Sequence, residues 1–256
     1  MDGFGAFLRK ELREAWRTSR LPISAGVFFI FGVISPLTAK YTPQLLKSLG
    51  GGVQVIVPTP QVADAIDQYL KNVGGNGIFI TILLTMGLVA REAERGTAAF
   101  VLTKPLSRPA FLGAKLVALL LTLGVGVAVA GVITYTYTAL LFKPVSVTGF
   151  VGASLLILLM LMAYAALTFL GSTLVRSQLA AAGIGLGGLI LVAVLGALPH
   201  VGDYTPAGLN QPARDLALGL PPQHLGAALA GTCALIGVAL LLTWLAFRSQ
   251  ELATAT

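Results

Sequence analysis

Long uncharged apolar runs alternate along this chain with short segments that gather nearly all of its charges. A helix rising 1.5 Å per residue needs about 20 apolar residues to cross a hydrocarbon core of about 30 Å. Six runs approach or exceed that length: residues 21–39, 73–90, 116–142, 147–175, 179–198 and 225–247. The pattern predicts an all-α polytopic membrane protein, one transmembrane domain over residues 1–256 with six spans. Segments 40–72 and 199–224 form the longer connections on one side, and 91–115 joins the second and third spans on the other. Before the first run, Phe4, Phe7, Leu8, Leu12, Ala15 and Trp16 recur at steps of three and four, opposite a face carrying Arg9, Lys10, Arg13 and Arg17. That spacing predicts an amphipathic helix within residues 1–20, lying on the membrane with its basic side drawn to anionic headgroups. The pattern suits a topology anchor as well as a mechanical element.

Composition excludes two classes. Hydrophobic residues make up 56% of the 256 and charged residues 11%, where a soluble domain carries about 25% charged; the mean hydropathy is +0.86. A soluble enzyme and a disordered chain are both ruled out. Seventeen Lys and Arg stand against ten Asp and Glu, a net charge of +7, which reads as membrane orientation rather than nucleic-acid binding. Six crossings bring both termini to one side. Arg9, Lys10, Arg13, Arg17, Arg20, Arg91, Arg95, Lys104, Arg108, Lys115, Arg176 and Arg248 fall on that side, and Lys40, Lys47, Lys71, Lys143 and Arg214 on the other. The bias places both termini in the cytoplasm of a cell membrane. The N-terminal segment is not read as a signal peptide, because it holds Glu11 and Glu14 and because Leu37, Thr38 and Ala39 lack a small-x-small cleavage pattern. The single cysteine, Cys233, leaves neither an intrachain disulfide nor a cysteine-rich metal site.

The apolar runs contain no ionisable residue. Such groups cost about 2.5–3.5 kcal/mol at mid-bilayer and mark proton or ion pathways, so their absence argues against a charge-coupled carrier. Sodium held by backbone carbonyls at broken helices stays open. No G-x-x-x-x-G-K-[ST] loop occurs, so the chain has no Walker-type grip on ATP, and neither H-E-x-x-H nor G-x-S-x-G is present. His200 and His224, both near prolines in one connection, read as solvated loop residues, and no metal site is expected.

Segment 91–115 carries charges of both signs, then Phe100, Val101 and Leu102, an interruption at Lys104-Pro105, and a helix restart at Ser107 and Pro109. A knuckle with apolar and charged faces suits docking into a groove on a soluble partner; composition alone suits an ordinary solvated loop equally well. Glu92, Glu94, Arg95, Gly96 and Thr97, followed by Leu102, Lys104, Pro105, Leu106, Ser107 and Arg108 and then by Gly113 and Lys115, resemble the first cytoplasmic loop of ABC type-two permeases. Lys10 to Glu14 resembles that family's opening helix, and the resemblance extends to the number of spans, the long first external connection and the closing Trp244 to Arg248.

The resemblance implies a membrane-spanning permease subunit, of exporter type, that performs no catalysis itself. It implies a coupling helix in 91–115, with Glu92, Glu94, Arg95, Gly96, Thr97 and Leu102 forming or flanking it and Ser107 and Arg108 leading into span three. Two copies of an ATP-binding subunit would carry ATP and magnesium, this chain binding no cofactor, and a second permease copy would complete a homodimer around the substrate route. Glycine after Arg95 fits a sharp backbone change. A passive channel or secondary carrier, and a membrane scaffold or assembly protein, are the alternatives. Substrate identity is not written in the residues.

Two further readings concern packing. Gly183 and Gly187 form a G-x-x-x-G pair in the fifth span, read as packing within the chain in preference to a seam between copies, since Gly124, Gly126 and Gly131 are also dense in span three. In the first external connection, Thr59-Pro60 opens an amphipathic helix with Val62, Ile66, Tyr69, Leu70 and Val73 at helical spacing, and a short helix is expected over 213–218.

Overall fold

A computed structural model describes residues 2–49, 59–94 and 108–250. Among them every regular element is helical. Six helical segments are long and apolar enough to cross a membrane: Arg20–Gln44, Val62–Glu92, Pro109–Leu141, Val147–Leu174, Gln178–Gly196 and Leu225–Arg248. They are preceded by the amphipathic helix α1 (Asp2–Arg17). Phe111, near the start of the third span, lies 5.3 Å from Phe7 of α1 and 5.8 Å from Phe247 in the last span, ring centre to ring centre. The first helix and the end of the last span therefore share one face of the bundle.

Span one is α2 (Arg20–Leu49), which continues through Pro36 and Pro43. A proline inside a helix removes the donor to the carbonyl four residues back. For Pro36 that carbonyl belongs to Gly32, and the Thr134 hydroxyl of span three, α6 (Arg108–Leu141), donates to it at 3.1 Å. Gly32 itself is needed there: a Cβ would stand 2.9 Å from the Ala130 carbonyl oxygen. Spans one and three thus approach backbone to backbone, the small-residue packing that membrane helices favour.

Span two departs from expectation. The amphipathic helix anticipated outside the membrane is α3 (Val62–Tyr69), but it runs without a break through a π-helical turn (Leu70–Asn76) into α4 (Gly77–Thr85). Its stripe is buried by the chain itself: Ala65, Ile66 and Tyr69 are inaccessible, and the Tyr69 ring lies 5.0 Å from Phe150. The polar Lys71, Asn72 and Asn76 interrupt the hydropathy without interrupting the helix. Asn72 donates to the Ser35 hydroxyl at 3.0 Å, and Asn76 donates to the Asn72 side chain at 3.3 Å.

Span four, α7 (Val147–Leu174), is the central post, capped at Ser146 and packed against spans two, three, five and six and the 199–224 connection. Spans two and four are 61% and 56% buried, whereas span five, α8 (Gln178–Gly196), and span six, α10 (Leu225–Gln250), are 22% and 17% buried. The last two accordingly have wide surfaces for lipid or a partner. The 199–224 connection folds down as two short 3₁₀ turns and α9 (Asn210–Ala217), which begins three residues earlier than anticipated and buries Pro212, Ala213 and Ala217.

Candidate functional site

The two helix ends that frame residues 95–107 are held by a charged joint. Within span two α4 ends at Thr85, and the chain turns before a short helix α5 (Ala90–Glu94). The turn would strand backbone groups within the bundle, but Ser172 of α7 meets them: its hydroxyl accepts from the Val89 and Ala90 amides at 3.1 and 3.0 Å and donates to the Met86 carbonyl at 2.9 Å. One side chain thus satisfies three groups of a helix break.

Lys115 stands two turns into α6, 3% exposed, where its ammonium lies 2.8 Å from Glu92 and 3.3 Å from Glu11, itself only 6% exposed. The apolar run at 116–142 begins just past this lysine because the helix starts earlier than the run does. The same ammonium lies over the Phe111 ring at 5.1 Å. Lys10 reaches Glu11 at 3.2 Å and Glu14 at 3.4 Å. Burial pulls the Lys10 ammonium down, but Glu11, Glu14 and Glu92 outweigh it and hold its pKa above the ordinary lysine value. A small cleft beside the joint is lined by Glu11, Arg20, Leu84, Leu88 and Lys115. Glu11 on α1, Glu92 on α5 and Lys115 on α6 are therefore one electrostatic unit, built from three parts of the sequence. Glu94 adds a fourth element, accepting from the Gln178 side chain at the start of α8 at 3.1 Å.

Of the residues singled out from sequence, Glu92 and Glu94 sit in this joint, and Arg108 opens α6. Arg95, Gly96, Thr97, Leu102 and Ser107 lie outside the described residues. On α1, Lys10 joins the cluster, while Arg9, Arg13, Trp16 and Arg17 are exposed. Glu11 and Ser172 were not singled out as site residues. Glu11 carried a signal, since Phe7, Glu11 and Ala15 stand at steps of four, so a carboxylate interrupts the apolar stripe of α1. Ser172 carried none.

The glycine pair in span five is placed differently from the favoured reading. A Cβ at Gly183 or Gly187 would meet nothing within 4 Å among the described residues. Packing inside the chain uses their neighbours instead: a Cβ on Gly185 would stand 2.5 Å from the Thr168 hydroxyl, and one on Gly188 3.2 Å from Leu167. The helix is rotated so that Gly183 and Gly187 look outward.

Nothing in the joint resembles a nucleophile with its base. What the arrangement does is tie elements together: ion pairs join α5 to α1 and to span three, and Glu94 joins it to span five. The sequence matches the profile of the ABC-2 family transporter proteins over residues 6–232. It is also 26% identical, over 218 residues, to an uncharacterized transmembrane protein, YxlG, of Bacillus subtilis (strain 168); the match covers 83% of this chain and 84% of that one.

Proposed function

The chain belongs to the ABC-2 transporter family, and from that premise we propose that it is the permease half of an ATP-driven pump, probed by its partner through residues 91–108. A separate ATP-binding subunit, present twice, holds ATP and magnesium and seats against this segment, whose candidate contacts are Glu94, Arg95, Gly96, Thr97 and Leu102. Closure of the two ATP-binding subunits pushes the segment. The joint of Glu11, Glu92 and Lys115 passes that displacement to α1 and span three, biasing the bundle between two access states. A second copy of the chain completes the route, meeting the first on the face of span five that carries Gly183 and Gly187. Both termini lie in the cytoplasm of a cell membrane, and transport runs outward.

The observation that carries this reading is the burial of Lys115 between two carboxylates at the root of the hairpin. A solvated loop has no use for a desolvated ion cluster beneath it, whereas a lever needs a stiff root. Gly96→Pro tests the assignment. The variant should insert normally and lose transport-coupled ATP turnover, since proline alters the segment's backbone and no apolar burial. Normal coupled turnover would refute it, and solute flux through the chain reconstituted without any ATPase would assign a channel or carrier instead.

A further inference from the structure

Spans three and four part on the side of the bundle away from α1 and leave a groove of about 340 Å³. Gly124, Ala128 and Val132 of α6 and Val151, Leu155 and Leu158 of α7 line it. Its floor is Gly131, where a Cβ would stand 3.3 Å from the Ser154 hydroxyl and 3.5 Å from that of Tyr69. Those two hydroxyls bond each other at 2.8 Å, and Ser154 donates to the Phe150 carbonyl at 3.0 Å. The floor therefore has no hydroxyl proton left to donate. The hydroxyls of Tyr135 and Thr136 at its edge likewise donate to backbone carbonyls, and the rest of the lining is carbon, so the groove offers water few partners. Val132 and Leu155, 66% and 59% exposed, leave it open sideways to the hydrocarbon around the bundle.

Length, apolar lining and charge at one end point to the occupant. From Gly124 to Thr136 the groove follows α6 for about 18 Å, at 1.5 Å per residue, against about 15 Å for one leaflet of a 30 Å core. That length suits an acyl chain lying along the leaflet. At the far end, the turn after α6 exposes Lys143 together with the hydroxyls of Ser146 and Thr148. Lys40 donates to the Leu141 carbonyl at 3.1 Å and lies over the Phe142 ring at 5.1 Å. Among the described residues neither ammonium has a carboxylate partner. Two cations without a carboxylate partner, beside a largely apolar slot open to hydrocarbon, complement a phosphate carrying a hydrocarbon tail.

We propose that this groove binds one phospholipid of the leaflet opposite α1, an acyl chain lying between spans three and four and the phosphate meeting Lys143 and Lys40. The site is separate from the joint, and nothing in it depends on an ATPase partner. The test uses the full chain in vesicles of phosphatidylethanolamine and phosphatidylglycerol, a fraction of the latter carrying a photoactivatable diazirine on its acyl chain, with adducts mapped by mass spectrometry. Adducts should concentrate several-fold in 124–136 and 147–158 over the equally lipid-facing span six. Val132→Trp, which fills the slot from an exposed position, should abolish that excess and leave span-six labelling unchanged. Lys143→Glu, a surface change that leaves the bundle interior untouched, should reduce it independently. Labelling spread evenly around the bundle, or an excess that survives either variant, would overturn the proposal.

Discussion

Ion pairs tie this bundle together at both ends, yet in opposite ways. On the α1 face, Lys115 and Glu11 are almost fully desolvated. At the far face, Arg214 of α9 grips Asp67 of α3 at 2.6 Å through a fork of two hydrogen bonds, but both side chains stay wet, 34% and 46% exposed. The Asp67 carboxylate raises the Arg214 pKa through that hydrogen bond, which only confirms a charge arginine carries anyway. His224 and Asp203, 3.7 Å apart, are more exposed still. Buried pairs are dear to break because each survivor is left charged out of water, while surface pairs trade one solvated partner for another. The α1 face is built to keep its geometry, and the far face to hold a cap loosely.

The largest effect should follow from Lys115→Met, which removes the buried ammonium that Glu11 and Glu92 share while Lys10 still reaches Glu11. A loss of about 3–5 kcal/mol is expected, read as a lowered unfolding temperature of the detergent-purified chain. Adding Glu11→Gln and Glu92→Gln should recover most of it, and failure to recover would show that packing rather than charge sets the loss. Next comes Ser172→Ala. Deleting the hydroxyl orphans groups of the span-two turn, at about 1–3 kcal/mol for a buried polar group left unmade. Hydrogen exchange should quicken at Val89 and Ala90 while span four stays protected; unchanged exchange would remove the clamp from the account. Arg214→Gln should cost no more than about 1 kcal/mol and lose even that in high salt. A loss as large as that of Lys115→Met would erase the contrast between the two faces. Smallest for folding is Gly183→Leu, within about 0.5 kcal/mol, since its Cβ direction is open. Its expected consequence is loss of the paired species in chemical crosslinking.

Much of this was legible in the residues. The six spans follow from apolar runs, because hydrocarbon imposes a length that no loop mimics. The joint was half legible: Glu92 and Lys115 stood in the loop motif, and Glu11 betrayed itself by breaking a stripe of apolar residues. Ser172 and Thr134 could not be read. A hydroxyl inside an apolar helix ordinarily bonds its own backbone, as Thr81, Thr122 and Thr168 do here. Which distant carbonyl or amide it serves instead is decided by where a proline or a turn in another helix comes to rest. The outward aim of Gly183 and Gly187 was hidden for a related reason, since spacing fixes the stripe they share but not the rotation of the helix. Span two was begun too late because Lys71 and Asn72 look like an exit from the membrane, whereas a π turn, and a bond from Asn72 to Ser35, carry them along the bundle.

The central claim is that a push on residues 95–107 reaches α1 through Lys115. Its most direct measurement is the set of spin-label distances from α1 and from the start of α6 to span four, in the permease assembled with its ATP-binding subunit, compared across the ATP-bound and nucleotide-free states. In the native chain α1, α5 and the start of α6 should shift together relative to span four. In the Lys115→Met, Glu11→Gln, Glu92→Gln variant α1 should stay behind. Movement of α1 that is identical with and without the ion cluster, or an α1 that never moves with the hairpin, would contradict the account.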